Sequence, residues 1–193
     1  MLAIALSMLA TANAPHARAA EDSYGVGDGH YGDFVADVPG TTFNTASVIT
    51  SDVAAGDTQI EVDAPGVFQL RDLVLILHTT DDAAHTLGSQ DTIDLATSPV
   101  GSYELARVVA ITQTALVLDA PMLRAYPAMH SQVVFVPELR SLHVEPGASL
   151  TAHPWDPVQR TGGVLAFFVQ DALTNEGRID ANGQGLHGGE LAH

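Results

Sequence analysis

No cysteine is present in the 193-residue chain, so neither disulfide bonds nor thiolate metal sites are available. The fold must therefore be held together by strand pairing and by burial of apolar side chains. Hydrophobic residues make up 46% of the sequence, which is enough to build a packed core. Wholesale disorder is therefore not expected.

Lysine is also absent, and basic residues are scarce. All seven are arginine, against 23 acidic residues, and the formal net charge at pH 7 is −16. A surface this acidic repels nucleic acid and anionic lipid, so neither is expected as a partner. It suits a salty medium or divalent cations. Solubility and a GC-rich codon bias explain the same composition more simply.

The only long apolar run is Leu2–Ala14, which is too short to span a bilayer. It ends at Ala17-Arg18-Ala19, a small-x-small cleavage pattern. We interpret residues 1–19 as a signal peptide cleaved after Ala19, although no basic residue precedes the run. The protein is then secreted or on the cell surface, with no membrane-spanning segment after cleavage. The alternative is an apolar N-terminal helix of a cytosolic domain.

Residues 20–40 are rich in Gly and Asp and predict a flexible acidic leader. Its best strand candidate is Asp33–Asp37. Three carboxylates, of Asp28, Asp33 and Asp37, are possible Ca²⁺ ligands, but their spacing does not match an EF-hand loop.

Residues 41–138 alternate between short β-patterned segments and turn signals, without a helical period, which predicts a small antiparallel barrel or sandwich. Leu73–Leu77 is continuously apolar and is expected to be buried on both faces. The link 112–114 indicates a hairpin. The predicted strands lie within 43–49, 58–62, 73–77, 103–111, 115–118 and 132–136.

Residues 139–193 change rhythm and predict the opening coils of a β-solenoid. Two short strand pieces surround Pro146-Gly147, and the wholly apolar run Val164–Val169, within a glycine-rich segment, is predicted as the next strand. Asn-Gly corners are expected between coils. Only about two or three coils precede His193, which indicates a truncated reading frame or a fragment of a longer protein.

No recognisable catalytic, cofactor-binding or metal-binding motif emerges. The histidine pairs are seven residues apart (His78 and His85) and ten apart (His143 and His153), which fits neither HxH nor HExxH. No serine lies in GxSxG, and Gly183-Gln-Gly185 opens no helix. The histidines are therefore expected at the surface or at strand edges.

Two local motifs have two interpretations each. Asp180–Gly183 resembles half of a Ca²⁺ loop, but it equally fits a corner in which Asn182 and Gly183 adopt positive φ, which we prefer. Trp155 lies between two prolines. Its ring would either stack on a sugar or cover one end of a core, and the second role is the commoner.

The long polar loop Thr79–Ser102 is the expected place of binding, if the protein binds anything, because long loops in compact domains are usually functional or disordered. It carries Asp81, Asp82, Asp91 and Asp94 and no basic residue. It suits Ca²⁺ or a polar polymer, the alternative being a solvated loop without a ligand.

Five phrases of the sequence carry a family resemblance: AAGDTQIEV (54–62), DLVLIL (72–77), TIDLATSPVGSYELARVVAI (92–111), VPELRSLHVEPGASLTAHPWD (136–156) and the segment 162–189. Together they cover most of the mature chain. In this order they resemble the N-terminal module of large exported proteins of gliding, predatory-type bacteria, described as adventurous gliding motility or adhesin-like surface proteins. The resemblance implies a surface or secreted role, a Gly-rich continuation after Gly189 and no catalytic residue.

Two functions follow as expectations. The first is a secreted or cell-surface structural or adhesion protein, linked to gliding motility, that is not an enzyme and whose partner is a surface polymer or protein. The alternative is a fragment of a carbohydrate-binding or polysaccharide-degrading β-helix protein, which rests on fold analogy alone. Polysaccharide cleavage is disfavoured, because a solenoid builds a cleavage site across several coils and only about two or three are present here.

Overall fold

The computed structural model describes residues 25–80 and 98–186, and this part of the chain is all-β, as predicted. Within these ranges no helix has the length and hydropathy to span a lipid bilayer. In this part of the chain a 3₁₀ turn covers Pro65–Val67. The strands are β1 (Asp33–Ala36), β2 (Ala46–Val48), β3 (Gln59–Glu61), β4 (Leu73–His78), β5 (Tyr103–Ile111), β6 (Ala115–Leu118), β7 (Ser131–Val136), β8 (Glu138–Val144), β9 (Ser149–Leu150), β10 (Phe168–Asn175) and β11 (Arg178–Ile179).

Six of these strands form one antiparallel sheet in the order β2-β7-β4-β5-β6-β3, which confirms the antiparallel pairing expected of 41–138. The predicted hairpin between β5 and β6 is confirmed. The sheet curls into a half-barrel. Its two edge strands approach each other closely enough for an antiparallel bridge between Ile49 and Val62. We call this unit the curled sheet.

The concave side of the curled sheet holds its main core, and β4 shows how the chain fills it. Val74 and Ile76 belong to this core and are fully buried. On the outer face Leu73 is fully buried as well, whereas Leu75 and Leu77 are only half-buried, so the prediction that this strand is buried on both faces is wrong at Leu75 and Leu77. The reason is that the segment 165–168 of the other unit lies over this face and leaves a groove beside Leu75 and Leu77.

The second unit is built from parallel pairs. β1, β8 and β10 form one sheet in the order β1-β8-β10, and β11 pairs with β9. Thr41 adds a parallel bridge to Leu150. The paired residues of β8 and β10, and those of β9 and β11, are about 30 residues apart in sequence, so each pair forms two successive levels of a stack. β1 forms a further level beside β8, although the two strands are far apart in the chain. We call this unit the parallel stack.

Columns of apolar side chains fill the interior of the parallel stack. Phe34, Leu142 and Leu173 are register neighbours in β1, β8 and β10. Leu142, in the middle level, is 1% exposed, whereas Leu173 is 48% exposed because no described strand lies beyond β10. Edge-to-face contacts join Phe43 to Phe34 and to Phe167 at centroid distances of 5.5 and 5.6 Å. These contacts close one end of the core.

The chain enters the parallel stack at β1, leaves it to form the whole curled sheet, and returns at β8. The strand predicted over Asp33–Asp37 is confirmed as β1, and it lies within the segment 20–40 that the sequence predicts as a flexible leader. This strand pairs with Ser141–Val144 along its whole length. At least this part of the segment therefore belongs to the parallel stack.

The strand predicted for the apolar run Val164–Val169 begins only at Phe168, so its predicted start is wrong. The backbone before Phe168 is bonded to side chains in place of a neighbouring strand. Ala166 N–H donates to Asn44 Oδ1 at 3.1 Å, and its carbonyl accepts from Asn44 Nδ2 at 2.6 Å. An apolar run predicts burial, but strand formation also needs a partner backbone.

Candidate functional site

A cleft of about 670 Å³ lies where the curled sheet meets the parallel stack. One wall comes from the residues that lead into β2 and from the 3₁₀ turn, and the other comes from the loop between β9 and β10. Its volume lies within the range of about 300–1,000 Å³ that is typical of ligand sites. The lining residues are Asn44, Thr45, Ala46, Val67, His153, Pro154, Trp155, Asp156, Pro157, Gln159, Thr161 and Gly162.

A small hairpin forms the outer wall of the cleft. Asp156 and Thr161 pair in an antiparallel bridge, with Asp156 N donating to Thr161 O at 2.8 Å. Asp156 Oδ1 accepts from the N–H groups of Val158 (2.8 Å) and Gln159 (3.0 Å). Arg160 closes the turn with φ of +56°, a strained conformation for a non-glycine residue. The hairpin is therefore a defined structure whose shape depends on the Asp156 carboxylate.

Two amide side chains of the curled sheet hold the cleft loop in place. Asn44 bonds both backbone groups of Ala166 and also donates to Phe135 O at 2.8 Å. Gln132, which is fully buried, donates to Gly162 O at 2.9 Å and accepts from Gly162 N at 2.9 Å. Each amide makes the two backbone hydrogen bonds that a neighbouring strand would otherwise make to the loop. The loop is therefore held in place although it forms no strand at these residues.

Trp155 is half-buried in the cleft wall, and its backbone N–H donates to Gln184 O at 3.0 Å. The residues that line the same cleft include Gln159, Thr45, Thr161 and Asp156. A cleft lined by an aromatic residue and by residues with amide, hydroxyl and carboxylate groups suits a ligand that has both apolar faces and hydroxyls. Asp156 is the only acidic residue among the described residues that line the cleft.

A second polar cluster lies at another part of the junction. Glu138 of the parallel stack is 1% exposed. Arg107 of the curled sheet forms a bidentate ion pair with its carboxylate, with Nη1–Oε2 and Nη2–Oε1 distances of 2.6 and 3.0 Å. Arg71 Nη2 lies 3.2 Å from Asp28 Oδ2. His30 contacts Asp28 through Nδ1 and lies 3.7 Å from Glu138 Oε2. Two guanidinium groups thus face two carboxylates across the junction.

The ligand atoms of Asp28, His30 and Glu138 lie within 4.8 Å of one another, close enough for a metal ion. The residues do not fit one, because Arg107 already forms a bidentate ion pair with Glu138 and Arg71 already pairs with Asp28. A cation placed there would face both guanidinium charges. Burial alone would raise the pKa of Asp28, but hydrogen bonds and charge from His30, with Arg107, lower it. The cluster is an ion-pair lock between the two units.

The structure does not bring the sequence-predicted ligands together. Asp33 bonds Arg140 and Ser141, whereas Asp28 belongs to the ion-pair lock, and Asp37 is exposed. His143 pairs with Glu176 at 2.9 Å, and His153 contacts Thr42 Oγ1 at 3.0 Å. His85 and Asp81, Asp82, Asp91 and Asp94 of the loop Thr79–Ser102 lie outside the described residues.

The corner interpretation of Asp180–Gly183 is confirmed for Gly183, but the positive φ expected of Asn182 is wrong. Asp180 Oδ1 accepts from Asn182 N–H at 3.1 Å, its other oxygen pairs with Arg178, and Gly183 has φ of +73°. A carboxylate used in this way closes a turn. The proline-flanked Trp155 was the one signal in the sequence that points to the cleft. The facing residues Asn44 and Thr45 carried no signal, because they lie about a hundred residues earlier in the chain.

No family model matches the chain, and no curated protein does. Among solved structures it is similar to the tailspike gp61 of Pseudomonas phage phi297, with 12% identity, a TM-score of 0.35 and coverage of 79% of this chain and 22% of that one. It is also similar to the Gp54 tailspike of Acinetobacter baumannii bacteriophage AP22, whose structure is a complex with an A. baumannii capsular saccharide. Here the identity is 11% and the TM-score 0.38, and the match covers 76% of this chain and 24% of that one. A third similar structure is the tailspike gp49 of Pseudomonas phage LKA1, with 15% identity, a TM-score of 0.35 and coverage of 62% of this chain and 24% of that one.

The chain spans 22% to 24% of the length of these three proteins. At these TM-scores the likeness carries no conclusion about the fold family or the activity of this chain.

Proposed function

We propose that the chain is an exported, non-catalytic module that binds a polysaccharide in the cleft lined by Trp155. One observation carries the proposal: the half-buried Trp155 lines a cleft of about 670 Å³ together with two amide residues, two threonines and a single acidic residue. The apolar face of a sugar ring packs on an aromatic ring, and its hydroxyls exchange hydrogen bonds with such polar groups.

The charges of the cleft support binding without cleavage. Glycoside hydrolysis commonly uses two carboxyl groups about 5–9.5 Å apart on either side of the scissile bond. Among the described residues that line the cleft, only Asp156 carries a carboxylate. One of its oxygens already holds the hairpin turn. The second oxygen is available to accept from a ligand hydroxyl.

The proposal includes the fold family and the location. The regular offset between the levels of the parallel stack and its columns of inward side chains support a β-solenoid as the frame of the site. The apolar run before Ala19 supports export, and the resemblance to gliding-motility surface proteins supports a place at the cell surface. N-terminal sequencing of the secreted protein should begin at Ala20. Recovery of protein with an intact Met1 from the cytoplasm would contradict export.

Binding is tested with the whole protein on a panel of immobilised polysaccharides. Trp155→Ala should weaken binding to the polysaccharide that the protein retains by at least about tenfold, equivalent to about 1.4 kcal/mol, through loss of the stacking face. Val158→Ala is the matched control, because this side chain lies on the same hairpin, is 86% exposed and does not line the cleft.

Equal binding by Trp155→Ala and the wild type would place the site elsewhere. Release of reducing ends from a bound polysaccharide would overturn the non-catalytic part of the proposal.

A further inference from the structure

We propose that the cleft selects uncharged glycans and that Asp156 is the residue that rejects acidic ones. The inference rests on the proposed function, since it concerns the ligand class of the same cleft. It starts from the charges that a bound sugar unit would meet. Among the described lining residues one carboxylate and one histidine are titratable, and none is arginine.

Arginine side chains are the groups that usually bind carboxylate or sulfate substituents of a ligand. One arginine, Arg160, belongs to the hairpin that forms this wall. Its Nη1 donates to Met129 O at 2.9 Å, and the residue does not line the cleft. A carboxylated sugar unit in the cleft would therefore meet Asp156 without a guanidinium group to offset the repulsion.

Asp156 is suited to act as an acceptor at a fixed position. Its Oδ1 is held by two backbone N–H groups at 2.8 and 3.0 Å, so the carboxylate cannot turn away from an incoming anion without breaking the hairpin turn. Its Oδ2 makes no hydrogen bond within the described part of the chain. A sugar hydroxyl can donate to this oxygen in a charge-assisted hydrogen bond, whereas an anionic substituent only repels it.

The net charge of −16 also repels acidic polymers, so the test must separate local rejection from the charge of the whole protein. Salt distinguishes them, because long-range repulsion is screened within about 10 Å at 0.1 M salt whereas contact between two carboxylates in a cleft is screened much less. Two substitutions that each remove one negative charge separate local rejection from long-range repulsion further. Asp156→Asn keeps an acceptor for the turn, and Glu145→Gln removes an exposed charge outside the cleft.

The experiment measures affinities of the full chain by calorimetry for two matched pairs of probes: dextran with carboxymethyl-dextran, and hydroxyethyl-cellulose with carboxymethyl-cellulose. Each pair is measured at about 0.15 M and about 0.5 M NaCl. For the pair whose uncharged member binds, we expect the carboxymethylated member to bind at least about tenfold more weakly at both salt concentrations. Asp156→Asn should reduce this difference to about threefold or less, and Glu145→Gln should leave it unchanged.

Equal or tighter binding of the carboxymethylated member would overturn the inference and leave the proposed function intact. So would a difference that vanishes at the higher salt concentration, or one that Glu145→Gln removes as well as Asp156→Asn does. If no probe of the two pairs binds and the immobilised panel also retains no protein, the proposed function fails and the inference fails with it. If the panel retains the protein only on acidic polysaccharides, the inference alone fails.

Discussion

The amide of Gln132 pairs with both backbone groups of Gly162, through Nε2–O and N–Oε1 distances of 2.9 Å each. Gln132 belongs to β7 of the curled sheet, and Gly162 follows the hairpin that forms the wall of the cleft. Gly162 itself is buried. One side chain therefore satisfies two buried backbone groups and connects the two units of the protein.

Replacing Gln132 by leucine should lower the free energy of unfolding by about 2–4 kcal/mol, since each unsatisfied buried backbone group costs about 1–3 kcal/mol. Urea denaturation followed by tryptophan fluorescence measures this, because Trp155 is the single tryptophan. The control is Gln159→Leu, an exposed residue of the same loop, for which a change within about 0.5 kcal/mol is expected. Equal stabilities of the two variants would contradict the role given to Gln132.

Gly162→Ala should be more destabilising than Gly56→Ala. Both glycines have a positive φ, of +105° and +99°, which costs a non-glycine residue about 1–2 kcal/mol. A Cβ at Gly56 would meet no atom within 4 Å, whereas a Cβ at Gly162 would collide with Pro154 O, which is backbone and cannot turn away. We expect a total loss above about 3 kcal/mol for Gly162→Ala. Thermal denaturation of both variants makes the comparison, and a similar loss in both would show that the close approach to Pro154 does not matter.

The ion-pair lock predicts an asymmetry between its two members. Arg107→Met leaves the carboxylate of Glu138, which is 1% exposed, without its bidentate partner, and breaking such a buried pair costs about 3–5 kcal/mol. Glu138→Gln should cost less, because the guanidinium of Arg107 is 23% exposed and retains access to water. Chemical denaturation of the two variants measures the difference.

The double variant Arg107→Met with Glu138→Met should recover at least half of the loss caused by Arg107→Met, since no buried charge then remains without its partner. Additive losses in this cycle would mean that the two side chains act independently.

Asp33 predicts a loss of stability in acid. Hydrogen bonds from Arg140 and Ser141, with the charge of Arg140, lower the pKa of Asp33 to about 2. The unfolded value is about 3.9. Because the folded pKa is the lower one, the contribution is fully present above about pH 4 and is lost as the pH falls towards about 2. The pair is exposed, so the effect is small.

Carbon-detected NMR titration of the Asp33 carboxyl group measures its pKa directly. In Arg140→Gln the pKa should move towards its ordinary value, because the largest cause of its depression is removed. A titration midpoint near 4 in the unmodified protein would contradict the assigned hydrogen bonds.

The sequence by itself determined where most strands lie. Tyr103–Ile111 and Ala115–Leu118 were predicted with the bounds that the structure gives to β5 and β6. β3 is one residue shorter than predicted at each end, and β7 begins one residue earlier than predicted. These elements are readable because the alternation of apolar and polar side chains is a local property of a strand that has one buried face. Where a segment is apolar on both faces, as in Val164–Val169, the pattern no longer says whether a strand forms.

Only the tertiary structure decided which strands pair and what they enclose. β1 lies beside β8, and Asp28 N donates to Glu138 Oε1 at 3.2 Å across a sequence separation of 110 residues. Asn44 reaches Ala166 across 122 residues, and this contact fixes the loop that carries Trp155 opposite the entrance to β2. Such contacts leave no periodic trace in the sequence, because each one depends on how a whole intervening sheet folds and returns the chain to the parallel stack.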